Sequence, residues 1–306
     1  MDENKESSIT DELVITIKNP SHISHQNPST DIVKDETQST VPESSSRSSE
    51  QNPLDFFGNL HIVVKPARLL KQAFEAICDP EFNPSGIGRI DLGEKCFTIV
   101  VLSPDNSLAR LHLSDGDEIE VSCHETMATR MVNLREIFQN LSADDDDTIV
   151  LYHIQGMNKL SGYFGKYADH GFSTEFLQNT AVIPEFPSLP VLYLGVLKSD
   201  EFSALTEELM KNGKPQPVTV QIMRSSSRMT VGEQTITYNC SSLEEKIANE
   251  TQMKGVTFYW PYAEALKKAA LLYHLCAVGL TEEPANYALM LFGKELMVWF
   301  IKKPDN

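Results

Sequence analysis

The sequence predicts an α+β fold built from two similar halves, each with two helices covering one face of a strand-rich sheet. Three observations carry this. Four short stretches repeat apolar residues at helical spacing. The runs between them are β-rich and bounded by Gly, Pro, Asn or Asp. The four stretches also fall into two pairs, beginning near Arg68 and Arg130 and near Ser199 and Pro261, with the same interval inside each pair. Like elements at equal spacing point to an internal duplication.

The elements follow in order. The run NLHIVV (59–64) is a strand, and Leu70, Ala73, Phe74 and Ile77 form a helix stripe. CFTIVVLS (96–103), SLARLHLS (107–114) and EIEVSCH (118–124) alternate as strands do. A second stripe follows at Leu134, Ile137, Phe138 and Leu141, then a turn and strand in DDDDTIVLYHI (144–154) and a strand in KLSGYFG (159–165). The second half repeats the order. VLYLGVL (191–197) is a strand, and Ser199 is read as an N-cap with Asp200 and Glu201 in the first turn. Phe202, Leu205 and Leu209 mark the third helix. PVTVQIM (217–223), RMTVG (228–232) and QTITYNC (234–240) are strands, and GVTFYW (255–260) leads into the fourth helix. The fourth helix carries Tyr262, Ala265, Leu266 and Ala269, and YALMLF and LMVWFI end the chain as strands.

Residues 1–58 differ in kind. They are rich in Ser, Thr, Asp, Glu, Asn and Gln, hold 11 acids against 4 bases, and read as a disordered acidic tail. LVITI at 13–17 is its one apolar alternation. The remaining residues hold 32 acids and 22 bases, so the body is acidic by itself. That argues against a wholly basic nucleic-acid surface and leaves room for a local basic face. No run nears the ~18 apolar residues of a membrane span. MDENKESSIT lacks the basic and apolar regions of a signal peptide, so an intracellular location, cytosol or nucleus, is expected.

The segment STEFLQNTAVIPEFPSLP (173–190) poses a question. Pro184, Pro187 and Pro190 exclude a helix and a central strand there. Yet Phe176, Leu177, Val182, Ile183, Phe186 and Leu189 make it far more apolar than a plain linker. It divides the chain into 59–171, a connector at 172–190, and 191–306. Its apolar side chains either fasten it to its own sheet or form one wall of a groove.

Other chemistries find little support. Five cysteines, at 78, 96, 123, 240 and 276, are an odd number without a CxxC, which reads as buried reduced thiols. DDDD (144–147) lacks the glycine and spacing of a calcium loop. Cys123-His124 and His274-x-Cys276, the latter near a helix end, lack the further ligands or orienting groups of a zinc or nucleophile site. They are the only support for an unrecognised enzyme. SGIGRIDLG (85–93) lacks phosphate-loop spacing and reads as turns. No P-loop, GxGxxG or GxSxG occurs. No catalytic residue, metal or cofactor is expected.

Several stretches together carry a family resemblance. RMVNLREIFQNL (130–141), with its Val-Asn-Leu entry, SDEFSALTEEL (199–209), TFYWPYAEALKKAALL (257–272), VIPEF (182–186), EEPANYALMLF and GKELMVWFIKK resemble, in order and spacing, proliferating cell nuclear antigen (PCNA), the eukaryotic sliding clamp. The resemblance covers roughly 59–303. It implies two clamp-type domains per chain, with helices on curved antiparallel sheets. It also implies three chains closed head to tail into a ring around duplex DNA. Helices line the hole, sheets form the wall, and client proteins insert a short helical peptide under the connector.

On this reading the groove would use Leu102, Ile183, Pro184, Val191, Pro284, Trp299 and Ile301. The DNA-facing cations would be Arg68, Lys71, Arg130, Arg135, Lys267 and Lys268. The resemblance further implies a nuclear replication and repair scaffold, not an enzyme, whose partners are DNA, polymerases, repair proteins and a clamp-loader ATPase. A divergent paralogue in a heterotrimeric checkpoint-type ring is the alternative. It is motivated by the long acidic tail and by Ala204, Glu207, Gln139 and Pro261, which stand where the family has basic residues. Arg224 lies near a family lysine that is a modification site.

Overall fold

The structure is a computed structural model. It describes residues 60–93, 96–123, 129–141, 147–154, 156–165, 167–178, 183–187, 191–222, 227–242, 254–281 and 287–302. At 93, 167–170, 191–194, 222, 239–242 and 254 the backbone alone is described. The tail at 1–58, with LVITI, lies outside these residues.

The first half contains β1 (Leu60–Val64), α1 (Ala67–Ile77), β2 (Ile87–Gly93), β3 (Cys96–Leu102), β4 (Leu108–Ser114), β5 (Ile119–Cys123) and β6 (Arg130–Asn133). It continues with α2 (Leu134–Asn140), β7 (Ile149–His153), β8 (Lys159–Phe164) and β9 (Tyr167–Leu177). The second half contains β10 (Val191–Lys198), α3 (Ser199–Thr206), β11 (Pro217–Ile222), β12 (Ser227–Val231) and β13 (Gln234–Ser242). It ends with β14 (Lys254–Tyr259), α4 (Ala263–Ala270), β15 (Leu275–Thr281), β16 (Ala288–Gly293) and β17 (Leu296–Lys302).

All pairings are antiparallel. The central sheet runs β13-β10-β15-β16-β17-β4-β3-β2-β6-β9, so the β4–β17 pair joins the two halves. A flanking sheet at one end runs β5-β1-β7-β8-β9, and one at the other end runs β14-β11-β12-β13. β9 and β13 each pass from a flanking sheet into the central one. Among the described residues, Tyr167–Glu175 pairs only with β8 and Gln234–Tyr238 only with β12. Among the described residues β9 and β13 therefore each keep an unpaired edge, as do β5 and β14 at the far ends of the flanking sheets.

The helices lie side by side in the order α2-α1-α4-α3, and α1 and α4 pack on β4, β16 and β17. Alternate strand residues explain the core. Ile99, Val101, Ala109, Leu111, Val298 and Phe300 point to the helices and are buried with Leu70, Phe74, Leu266 and Ala269. Gly88 leaves room for Leu134, because a Cβ there would sit 2.6 Å from Leu134 Cδ1. Asn133 caps α2: its side chain accepts from Arg135 N and donates to Glu136. Phe82, in the turn after α1, reaches into the other half. Its ring centroid lies 5.9 Å from Trp260, 5.1 Å from Tyr262 and 5.4 Å from Phe300.

The mixed α+β class and all four helices match the sequence reading, with corrections. The second helix begins at Leu134, because Arg130–Asn133 pairs with β2 as a strand. The two helix pairs are therefore not equally spaced. Ser199 is the first helical residue and not the N-cap; Lys198 holds that position and caps with no side chain. SGIGRIDLG is mostly strand β2, with only its start in a turn at Gly86. β9 extends into the proline-rich segment as far as Leu177, where Thr174 and Phe176 alternate inward. The sequence pattern does not reveal β15. LCAVGLT is buried on both faces, so it shows no alternation and merges with the apolar end of α4. Cys276 accordingly lies on a strand, not near a helix end.

Phe82→Ala removes a fully buried ring from the seam between the halves. It is expected to cost about 3–5 kcal/mol in urea unfolding. An exposed-loop control, Ser85→Ala, should cost well under half of that.

Candidate functional site

The face of the central sheet away from the helices carries the candidate groove. In-register pairing sets Leu291, Trp299, Arg110, Val100, Arg89 and Met131 in one row across β16, β17, β4, β3, β2 and β6. The neighbouring row is Leu289, Ile301, Leu108 and Leu102. Trp299, Ile301 and Leu102 are thus brought onto one apolar surface, joined by Leu108. Trp299 and Ile301 are buried and Leu102 is half-buried.

Arg89 holds the connector to this surface. Its Nη1 donates to the Ile183 carbonyl at 3.3 Å, its Nη2 to Glu185 at 3.4 Å, and its Nε to Asp91 at 2.9 Å. Ile183 is buried and Pro184 exposed. Phe186 is half-buried, with its ring edge-on to Trp299 at 6.5 Å. The Arg110 guanidinium sits in the corner of those rings, 4.5 Å from Phe186 and 4.4 Å from Trp299. Of the other expected groove residues, Val191 opens β10 and is described by its backbone, and Pro284 lies outside the described residues.

Titratable groups around the surface are shifted. Burial brings Arg110 down to about 10. Burial, aided by Arg110, brings His112 down to about 4, so it is neutral at pH 7, with Nδ1 3.2 Å from Thr98 Oγ1. Burial works to raise Asp105, but bonds from Lys302, Ser103 and Ser107 outweigh it and take the carboxyl down to about 2. Lys302 Nζ lies 2.6 Å from Asp105 Oδ2, pinning the last strand to the β3–β4 turn.

The candidate DNA-facing cations are less uniform. Arg68 and Lys71 lie on α1 with no ion pair among the described residues; Arg68 is exposed and Lys71 half-buried. Arg130 is exposed but on β6, not on a helix. Arg135 donates to the Pro84 carbonyl at 2.7 Å. Lys267 pairs with Glu264 at 3.3 Å, and Lys268 with the buried Asp79 at 2.8 Å. That last bond crosses the α1–α4 seam, so the Lys268 charge is largely spent inside the fold. α3 offers Asp200 and Glu201 and no base.

Burial pushes the Cys276 thiol well above its ordinary range and Cys78 up to about 12. Cys123 is buried, and His124 and Asp144–Asp146 lie outside the described residues. Among the described residues no three His, Cys, Asp or Glu side chains cluster as metal ligands.

Sequence reasoning missed Arg89, Arg110 and Asp79. A usable signal existed for the first two: each alternates with inward apolar neighbours on its strand, so each must face outward.

The fold is similar to the crystal structure of proliferating cellular nuclear antigen from Entamoeba histolytica, with a TM-score of 0.63 over 81% of this chain and 100% of that one, at 17% sequence identity. No protein-family model and no curated protein matches the sequence. At that identity the likeness establishes a clamp-type fold.

Two outcomes follow from the connector and the pinned turn. Arg89→Ala is expected to speed amide exchange at Glu185 and Phe186 by about tenfold, with β3 and β4 unchanged. Asp105→Asn is expected to cost about 1–2 kcal/mol at pH 7. A depressed carboxyl stabilises above its ordinary range, so the gap to wild type should close as pH falls from about 4 to 2.

Proposed function

We propose that this chain is a subunit of a sliding clamp, a processivity scaffold that encircles duplex DNA and tethers replication and repair proteins. The observation that carries the reading is the clamp-type fold, with its helices gathered on one side of the sheet and unpaired edges at β9 and β13 among the described residues. Two unlike edges, at β9 and β13, suit a heterologous contact in which one copy's edge meets the other edge of the next. Such contacts close into a ring when the rotation permits. Three copies are the number that the family resemblance implies. The boundaries 59–171, 172–190 and 191–306 belong to this reading.

The helix layer would face DNA. Contact there is electrostatic and independent of sequence, with Arg68 and Lys71 as its foremost cations. Retention comes from topology, so weak contact suffices. On the outer face the surface under the connector would take client peptides, raising their effective concentration at DNA. The chain acts without catalysis, so a separate ATPase would load it, and its place of work would be the nucleus.

One observation favours a second reading, a divergent paralogue in a heterotrimeric ring. The charges of the four helices cancel: Arg68, Lys71, Arg135, Lys267 and Lys268 against Glu75, Glu136, Asp200, Glu201 and Glu264. A ring of three identical chains would then have a neutral lining, and more basic partner subunits would correct it.

Light scattering on the purified 34.3 kDa chain separates the two. A stable species at three times the chain mass, retained on circular but not linear DNA after loading, is the expected result for a self-sufficient clamp. A monomer at micromolar concentration that trimerises only with other clamp-like subunits would favour the heterotrimer. A monomer that joins neither would overturn the proposal.

A further inference from the structure

Two side-chain donors on the outer face have no acceptor among the described residues. Arg110 Nε is sealed from solvent and has no acceptor among the described residues, and the same holds for Trp299 Nε1. Trp299 is only 7% exposed. The two residues are a cross-strand pair, and the guanidinium carbon lies 4.4 Å from the indole ring. Buried donors are almost always satisfied, so two unsatisfied ones side by side call for a partner.

The surroundings show that this is local. The other tryptophan, Trp260, donates Nε1 to the Tyr262 carbonyl at 3.0 Å. Arg89, next but one in the same row, has three acceptors. The nearby carboxylates are engaged: Asp91 by Arg89 and Thr129, Glu185 by Arg89, Asp105 by Lys302. His112 carries no compensating charge. Arg110 is half-buried, with its Nε sealed and its guanidinium against the faces of two rings.

We infer that the groove selects clients whose peptide carries a carboxylate among its apolar anchors, and that this carboxylate accepts from Arg110 Nε and Trp299 Nε1. The inference rests on the groove reading above. A carboxylate supplies two acceptor oxygens for two donors and pairs with the half-buried guanidinium charge in the same step. Leu102, Leu108, Ile183 and Ile301 supply the apolar frame, which suits a peptide and not a free small acid. Phe186 lies over the guanidinium from the connector side and is half-buried, so it is the cover that an entering apolar side chain displaces. The acidic body disfavours anionic peptides in general, which leaves Arg110 as the local determinant of which ones bind.

The test uses a random 12-residue peptide display library selected on the full chain. One selected peptide is then compared with its Glu→Gln or Asp→Asn version. Selected peptides should pair apolar anchors with a recurrent Asp or Glu, and removing that charge should weaken binding at least tenfold. Arg110→Gln should abolish the difference between the two peptides. With ¹⁵N-labelled tryptophan, the Trp299 indole resonance should move on binding and that of Trp260 should not. Apolar peptides that bind at Trp299 equally well with and without the charge would overturn the inference and leave the groove standing. Failure to select any peptide that moves the Trp299 resonance would overturn both. The paired peptides on the unaltered chain decide the matter even where Arg110→Gln folds poorly.

Discussion

The pairing of β4 with β17 is the constraint on which the rest of the molecule depends. Six register pairs, from Leu113–Leu296 to Leu108–Ile301, make one sheet out of two halves that are distant in sequence. Such a seam stays ordered only if both its faces are covered. On the inner face Phe82 crosses from the first half into a pocket of Trp260, Tyr262 and Phe300, and Lys268 reaches back to Asp79 beside it. Without these contacts the open edges at β9 and β13 would have no fixed relation to each other.

The same two strands serve both faces of the sheet because side chains alternate. Ala109, Leu111, Val298 and Phe300 hold the helix layer, while Arg110, Trp299 and Ile301 build the outer surface. Outward positions on an exposed sheet are usually polar. Here the outer row is apolar apart from two arginines, which is why the connector must also be apolar to cover it. Arg89 ties the connector through a carbonyl and a carboxylate, leaving Phe186 to lie on Arg110.

Charge on the helix layer is mostly paired or balanced. Lys267 and Lys268 are bound to acids, Arg135 to a carbonyl, and α3 is purely acidic. Only α1 offers basic groups with no partner among the described residues. The helix layer is thus close to neutral, and the outer face holds a half-buried guanidinium whose Nε has no acceptor among the described residues.

Local pattern alone determined the α+β class, the positions of the four helices and most of the strands. Those features follow from apolar spacing and turn residues, which act within a few residues along the chain. Leu70, Phe74, Phe202 and Leu266 were readable as core for that reason. The reading failed where the signal is not local. Arg130–Asn133 is a strand because β2 pairs with it, and β15 hides its period because both its faces are buried. Only tertiary structure decided which cations remain unpaired. Lys268 looks free in sequence and is spent on Asp79, 189 residues away. Arg110 looks like one more exposed strand charge and is instead walled in by Trp299 from β17 and Phe186 from the connector. Ion pairing and burial are properties of neighbours in space, and the fold chooses those neighbours.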